Sequence, residues 1–325
     1  MLFTETMLES YATPIGKTED EKCKHAITMI RDALAEYGYA DDSTLTLLSR
    51  DTSSYVLNMR SQYGEEKRNV KLLVQGSYAN KTNIPSESDV DVAVVLTSTF
   101  WSEYPIGITK RNYGFTDSND SLEAFKNDIE QILRNKFRRG VQRHNKSIEV
   151  KGNSYRVDAD TVPCGEFRDY RMDDGTNVNR FIPGIRIQPD DKSAIIINYP
   201  VQHIKNGVLK NDATDKKFKK MVRIAKNIRV LMEDMGIDSA KRISSFLIES
   251  LLWNVPDKCY KEYTLFLRFM FAEVLSYLFK NIDSIYSFKE INGIKDINKD
   301  DVTRIETCKA FIKDLYSFYD YNIEE

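Results

Sequence analysis

The sequence predicts an α/β fold of two parts, in which a strand-containing half is followed by a helical half. Short apolar segments bounded by turn-forming residues recur in the first 200 of the 325 residues, which is typical of strands. After about Tyr199, apolar residues recur at helical spacing over long stretches, and no convincing strand segment is present. We therefore expect one domain at residues 1–200 and a second at 201–325, with an N-terminal helix that could lie across both.

Composition and charge narrow the class of protein. Apolar residues make up 41% and charged residues 30% of the chain, as in a globular protein with a buried core. The net charge is −2, which disfavours a stable nucleic-acid or anionic-membrane binder. Four scattered cysteines without a CxxC pair suit a reducing cytosol. The N-terminus has no signal-peptide pattern and charges interrupt the most apolar segment, Thr264–Phe279, so we expect a cytoplasmic protein without a membrane span.

The first half contains recognisable helices. Helical spacing predicts helices at Thr18–Tyr37, with Gly38 as its stop, and at Ser121–Phe137. Asp42–Tyr63 is predicted as a less regular helix. Thr97–Asp120 has no clear period and is predicted as a loop.

Strands are predicted between these helices and after them. Ser147–Val150 and Tyr155–Val162 are expected to be two strands joined by the turn-forming sequence KGNS. Gly165–Pro189 is predicted as a polar connection, and Ala194–Ile197 as a last short strand.

Four long helices are predicted in the second half, at Thr214–Met235, Ser244–Trp253, Lys261–Asn281 and Asp300–Tyr319. We expect Thr214 to be the N-cap of the first of them and Gly236 to follow its last turn.

The segment Leu72–Leu96 carries the strongest chemical signal. It comprises an apolar strand, the pair Gly76 and Ser77, a polar turn of helix, a loop, and a second strand that opens with Asp89 and Asp91. Strand side chains alternate between faces, so both carboxylates point the same way and repel each other unless a cation lies between them. Oxygen ligands suit Mg²⁺, and a glycine with free N–H groups at a helix start suits phosphate. The segment therefore predicts a site for Mg²⁺ and a nucleoside triphosphate.

This order of elements resembles the nucleotidyltransferase superfamily related to DNA polymerase β. The resemblance implies an α/β (α+β) core with a mixed sheet, metal ions held by Asp89 and Asp91, and a third acid on a neighbouring strand. The sequence VDADTVPC offers Asp158 and Asp160, which would share one face of the predicted strand, so alternation does not decide between them. Related enzymes show an acid, two apolar-type residues, a proline and a small residue, and this pattern matches Asp160. The resemblance thus implies that Asp160 is the third catalytic and metal-binding acid.

The helical half adds a closer resemblance. The segments YPVQHIKNGVLKNDATDKKFKKMVRIAKNIRVLM and ISSFLIESLLWNVP are similar to the C-terminal part of bacterial cGAS/DncV-like nucleotidyltransferases, the CD-NTases, and especially to their CdnE branch. The resemblance implies a helical bundle domain that closes over the nucleotide, with Lys226, Ser245 and Phe246 binding the donor triphosphate and base. Taken alone, each residue has an ordinary explanation: a solvated helix lysine, a helix-start serine and a core phenylalanine.

The resemblance also implies an activity. It points to a metal-dependent enzyme that joins nucleoside triphosphates into a cyclic dinucleotide, or a larger cyclic oligonucleotide, and releases pyrophosphate. Two Mg²⁺ ions would be the cofactor, with Mn²⁺ able to substitute, and a downstream effector would read the product in anti-phage (CBASS) signalling. We expect a monomer. The alternatives are a template-free nucleotidyltransferase acting on an RNA end or on a protein or drug hydroxyl, and a catalytically silent nucleotide-binding sensor.

Two further features are given ordinary roles. The basic run Arg134–Lys146 suggests a nucleic-acid surface, but with a negative net charge and no Cys/His cluster it is better explained as a helix end that continues into a solvated loop. His25, His144 and His203 are assigned no chemistry.

Overall fold

The structure is a computed structural model that describes residues 3–62, 68–262, 265–298, 301 and 303–319. The elements of the first 200 residues are, in chain order, α1 (Glu5–Ala12), α2 (Lys17–Tyr37), β1 (Tyr39–Asp41), β2 (Thr46–Leu47), β3 (Tyr55–Ser61), β4 (Val70–Gln75), α3 (Gly76–Asn80), β5 (Val90–Glu103), α4 (Leu122–Phe137), β6 (Val141–Arg143), β7 (Ile148–Val150), β8 (Ala159–Asp169), β9 (Ile182–Ile187) and β10 (Ile196–Asn198). They are followed by α5 (Pro200–Ala213), α6 (Phe218–Asp234), α7 (Asp238–Arg242), α8 (Ser245–Asn254), α9 (Leu267–Lys280) and α10 (Arg304–Tyr319).

The chain divides into two compact units. The first, called here the sheet unit, comprises Gly16–Ala79 and Ser88–Val201. The second, the helical unit, comprises Met1–Ile15, Asn80–Glu87 and Gln202–Glu325.

The sheet unit is built on one mixed sheet. Its strands follow the order β1-β3-β4-β5-β8-β7-β6, with β2 beside β3, and with β9 between β8 and β10. Only the β5–β8 pair is parallel among the described strands; the others are antiparallel. Helix α2 packs against β5 and β8, and helix α4 packs against β8. The mixed sheet expected from the family resemblance is thus confirmed.

The two regular helices predicted in this unit are confirmed. Helix α2 ends at Gly38, whose φ of 116° is the left-handed conformation that glycine adopts readily. Helix α4 begins after Ser121, whose hydroxyl accepts a hydrogen bond from the backbone N–H of Ala124 at 3.3 Å. A serine at this position satisfies one of the otherwise unpaired N–H groups of the first turn.

The helical unit has its own apolar core, centred on α6. Helix α6 packs against α1, α7, α8 and α10, and its apolar stripe of Phe218, Met221, Val222, Ala225 and Ile228 is completely buried. Among the described residues, no helix combines the length and the apolarity needed to cross a bilayer.

The helix predicted at Asp42–Tyr63 is wrong. This stretch contains β2 and β3, while Tyr63 lies outside the described residues. Along β3 the buried residues Leu57 and Met59 alternate with exposed ones, which is the period of a strand. This alternation is short and lies between polar residues, and for this reason the sequence pattern predicts an irregular helix.

Two predicted loops contain strands. β5 continues to Glu103, inside the predicted loop Thr97–Asp120. Its pairing with β8 shifts between Leu96 and Phe100, and this irregularity breaks the alternation by which a strand is predicted from sequence. The predicted polar connection Gly165–Pro189 holds the end of β8 and all of β9. In β9 a proline and a glycine hide the strand pattern.

The helices of the second half are confirmed, with different boundaries. Helix α5 was not predicted, and Thr214 is not the N-cap of α6, which begins at Phe218. Asp215 and Lys216 have positive φ angles, which are not helical, and they separate α5 from α6. Gly236, at φ 82°, does follow the end of α6. Parts of the last two predicted helices, at residues 263–264, 300 and 302, lie outside the described residues.

Candidate active site

The predicted acidic residues lie at one end of the two central strands. Asp91 is the second residue of β5 and Asp160 the second of β8, and the parallel register places them directly opposite each other. Neighbouring strands lie about 4.8 Å apart, so the two carboxylates start from backbone positions within easy reach. Asp89 immediately precedes β5, and the N–H of Val90 donates to the Asp158 carbonyl at 3.1 Å.

Gly76 lies against Asp91 on the β4 side of β5, opposite the side on which β8 lies. β4 ends at Gln75, which pairs with Asp91, and Gly76 then opens α3 with a φ of 72°. A Cβ atom at this position would lie 1.9 Å from Asp91 Oδ2. Both the backbone conformation and the close approach therefore require glycine. Ser77 follows in the first turn of α3.

Asp158 and Asp160 have different surroundings. β8 begins at Ala159, so Asp158 precedes the strand, and the expectation that both acids lie in one strand is corrected. Asp158 accepts a hydrogen bond from the backbone N–H of Gly152 and so closes the turn after β7. Asp160 accepts one from Ser147 Oγ at 3.2 Å. The structure brings Asp160 opposite Asp91, while its catalytic role stays a prediction.

Three of the acids, but not Asp91, are among the residues that line a depression of about 250 Å³. One wall comes from Asp89, Asp158 and Asp160, and the other from the β6–β7 hairpin, which supplies His144, Ser147 and Glu149. The register of β7 and β8 sets Glu149 opposite Asp160. Sequence reading missed this wall, although Ser147 and Glu149 are two residues apart in a short predicted strand and so share a face.

The depression concentrates negative charge. Burial raises the pKa of the Asp89 carboxyl above its usual value, and the charges of Asp158, Asp160 and Glu149 raise it further. Carboxylates in such a group oppose each other's ionisation unless a cation is bound among them.

The donor set fits a divalent cation that prefers oxygen ligands, such as Mg²⁺. Among the described residues, no three Asp, Glu, His or Cys side chains converge closely enough to coordinate one ion as they are placed. Asp91 Oδ2 is directed toward Gly76, and Asp160 Oδ1 toward Ser147. The parallel register nevertheless places Asp91 and Asp160 directly opposite each other on neighbouring strands, about 4.8 Å apart.

Three of the residues predicted to bind the nucleotide, Lys226, Ser245 and Phe246, lie in the helical unit. Lys226 is 1% exposed, so it is not the solvated lysine that its helix position suggested. Ser245 is the first residue of α8, and its hydroxyl donates to Glu87 at 2.6 Å. Phe246 packs against the core and meets the ring of His203 edge-on, with 5.6 Å between ring centroids.

A buried carboxylate lies in the same unit. Glu249 is 2% exposed; the Thr82 hydroxyl donates to it at 3.3 Å, and His203 Nε2 lies 3.2 Å from its other oxygen. Burial alone would raise the pKa of Glu249, but the charges of His203, Lys226 and Lys219 lower it below its usual value. Sequence reading gave no sign of this network, because its members come from three separate segments.

Comparison with known proteins agrees with this fold. Residues 205–320 match the family described as the cGAS/DncV-like nucleotidyltransferase C-terminal helical domain. The chain is 40% identical over 326 residues to cyclic GMP-AMP synthase CdnE03 of Staphylococcus schleiferi, covering 100% of this chain and 99% of the relative. It is 32% identical over 296 residues to the cyclic dipyrimidine nucleotide synthase CdnE of Cecembia lonarensis, covering 91% and 90%.

A solved structure gives the same result. The CdnE cyclic dinucleotide synthase of Elizabethkingia meningoseptica, determined with GTP and Apcpp, is similar with a TM-score of 0.73 and 26% sequence identity. The similarity covers 98% of this chain and 100% of that one. The protein is therefore an enzyme of the nucleotidyltransferase class. Within that class the chain belongs to the cGAS/DncV-like nucleotidyltransferase family, the CD-NTases, and to its CdnE branch.

Proposed function

We propose that the enzyme joins two nucleoside triphosphates into a cyclic dinucleotide and releases pyrophosphate at each step. The observation that carries the proposal is the pairing of Asp91 with Asp160 across β5 and β8, beside the glycine turn at Gly76. The names of its relatives support a cyclic product. Since the relative that is 40% identical is named a cyclic GMP-AMP synthase, we propose ATP and GTP as the substrate pair.

Asp89, Asp91 and Asp160 are the residues that would hold two Mg²⁺ ions, with Mn²⁺ able to substitute. When bound, such ions neutralise charge on the transferring phosphoryl group and make a hydroxyl a better nucleophile. The support for this assignment is the oxygen donor set, together with the raised pKa of Asp89, which burial and then the charges of Asp158, Asp160 and Glu149 cause.

Gly76 and Ser77 bind the donor's β- and γ-phosphates. Both residues lie at the start of α3, where a helix attracts an anion, and glycine lets the backbone approach a phosphate closely. In the helical unit, we propose that Lys226, Ser245 and Phe246 bind the triphosphate and the base.

The order of strands sets the direction of attack. β4, which leads to Gly76, lies on one side of β5, and β8 lies on the other. Phosphates bound at Gly76 place the departing pyrophosphate on the β4 side. The attacking and leaving oxygens lie roughly in line, so the acceptor hydroxyl must approach from the β8 side, past Asp160. The depression of about 250 Å³ lies there. A linear intermediate then has to turn round for the second bond.

The test is product analysis with matched acid variants. The wild type is incubated with each of the four nucleoside triphosphates, singly and in pairs, with Mg²⁺ or Mn²⁺, and phosphatase-resistant product is identified by mass. Asp91→Asn and Asp160→Asn should lower turnover on the order of 10³-fold, equivalent to about 4 kcal/mol in the barrier. Asp158→Asn removes a charge from the same depression but not from the predicted ligand set, so it should keep most of the activity.

Each alternative has its own outcome. A ladder of linear products would favour a transferase acting on RNA ends, and nucleotide binding without pyrophosphate release would favour a silent sensor. Turnover near the wild-type rate in Asp91→Asn would contradict the mechanism.

We further propose that the cyclic product is a second messenger, which a downstream effector reads in anti-phage (CBASS) signalling. The support is membership of the CD-NTase family. Phage challenge of cells carrying the wild type or Asp91→Asn tests this role, since only the former should protect.

A further inference from the structure

Arginines of the basic run Arg134–Lys146 make hydrogen bonds that connect elements of the sheet unit. Arg143 donates to both oxygens of Asp190, at 2.7 and 2.8 Å, and to Glu130 at 2.7 Å. Arg134 donates to the other oxygen of Glu130 at 2.7 Å. These charges therefore fasten the β6–β7 hairpin to α4 and to the chain after β9.

A buried lysine holds the turn of this hairpin. Lys126 on α4 is 2% exposed, and its ammonium donates to the carbonyls of His144 and Asn145, both at 2.9 Å. It also pairs with Asp190 at 3.0 Å. The carbonyl of Asn145 accepts a further hydrogen bond from the N–H of Asp190 at 3.0 Å. Lys126 is buried and its ammonium is bonded to all three of these partners, so the turn is held in place.

The anchored turn ends at Ser147. The N–H of His144 donates to the Ser147 carbonyl at 2.9 Å and closes the turn. From this position Ser147 Oγ donates to Asp160 Oδ1 at 3.2 Å. The carboxylate of Asp160 thus has one oxygen occupied by a group that is itself immobilised, which favours one orientation for the second oxygen. Carboxylates that bind metals are usually oriented by such bonds, and loss of one typically lowers metal affinity by about 10- to 100-fold.

We propose that Ser147 is a positioning residue for Asp160, and that the Lys126-anchored turn holds Ser147 in place. The serine holds one oxygen of the Asp160 carboxylate and leaves the second oxygen to bind the cation. This inference rests on the proposed function, in which Asp160 holds a divalent cation.

Direct Mn²⁺ binding to nucleotide-free enzyme, measured by the electron paramagnetic resonance signal of free Mn²⁺, tests the proposal without turnover. Ser147→Ala should weaken Mn²⁺ affinity by about 10-fold or more, with an unchanged thermal midpoint. Ser147→Thr, which restores the hydroxyl, should bind as the wild type does. Ser193→Ala, which removes an exposed hydroxyl from the same unit, should also bind as the wild type does.

The outcomes distinguish a failure of the Ser147 positioning role from a failure of the proposed function. If Ser147→Ala binds Mn²⁺ as tightly as the wild type, the positioning role is wrong while the proposed function stands. If the wild type neither binds Mn²⁺ nor makes a cyclic product, the proposed function is wrong and the inference falls with it. Should Ser147→Ala fail to fold, Ser147→Cys keeps the size but donates a weaker hydrogen bond, and a reduced Mn²⁺ affinity is again expected.

Discussion

Gly76→Ala tests the contact between the glycine turn and the acidic strand. The residue has a φ of 72°, in the region where an L side chain costs about 1–2 kcal/mol. The new Cβ would lie 1.9 Å from Asp91 Oδ2 and 2.8 Å from Asp91 Cγ. Since close carbon–oxygen contacts are about 3.3 Å long, the carboxylate would have to retreat by roughly 1.4 Å.

That displacement determines the expected magnitude. A misplacement of about 1 Å at a reacting centre costs about 10²-fold in rate. We therefore expect Gly76→Ala to lower kcat/KM by about 10²-fold or more, while the free energy of unfolding falls by only about 1–2 kcal/mol.

Gly114→Ala is the matched control. Its φ is 73°, and no atom lies within 4 Å of the position that a Cβ would take. It carries the same backbone cost without the clash, so its stability should fall similarly and its activity should persist. Pyrophosphate release with ATP, GTP and Mg²⁺ measures the difference, and urea unfolding measures the stability. If both variants turned over equally fast, Gly76 would not position Asp91 as we infer.

Two more predictions concern buried ionisable groups. The pKa of Glu249 is lowered, so its stabilising contribution is present above the usual value of 4.5 and is lost as the pH falls through the lower folded-state value. Glu249→Gln should be less stable than the wild type at pH 7 in urea unfolding and should lose less stability on acidification to about pH 3, well below 4.5; an equal loss would contradict the assignment. Burial raises the pKa values of Cys23 and Cys308 to about 12, with Asp20 and Glu19 also acting on Cys23. Neither thiol should react with Ellman's reagent at pH 8 before the protein unfolds, and rapid reaction in the native state would show that the burial is wrong.

The sequence predicted those features of the site that local patterns encode. Alternation along a Val-rich strand predicted that Asp89 and Asp91 share a face; in the structure Asp91 lies in β5 and Asp89 immediately precedes it. The choice of Asp160 over Asp158 needed family resemblance, because it depends on where β8 begins. That start is set by pairing with β5 and β7, through contacts that are distant in sequence.

Other features depend on tertiary structure and left little trace in the sequence. The long β5 strand was cut short because a bulge after Leu96 interrupts its alternation. A lysine on a helix is expected to be solvated, and the sequence does not show whether it is buried. Lys226 is buried by packing within the helical unit, which depends on tertiary structure. The basic run Arg134–Lys146 likewise suggested a solvated loop, although Arg143 is bonded to Glu130 and Asp190.

Buried apolar residues of β5 and β8 hold the backbone beside the acid cluster in place, although the acids do not stabilise this core. Val90, Val92 and Ala159 are at most 1% exposed, and the hydrogen bond from Val90 to Asp158 joins the two strands at the end that carries the acids. This core keeps the backbone positions of Asp91 and Asp160 side by side, where two carboxylates oppose each other's ionisation and a bound cation favours it. An apolar pair at these two positions would spare the sheet that repulsion. Retaining carboxylates there is expected of a binding or catalytic centre, where ionisable groups are placed at a cost in stability, and not of a structural contact.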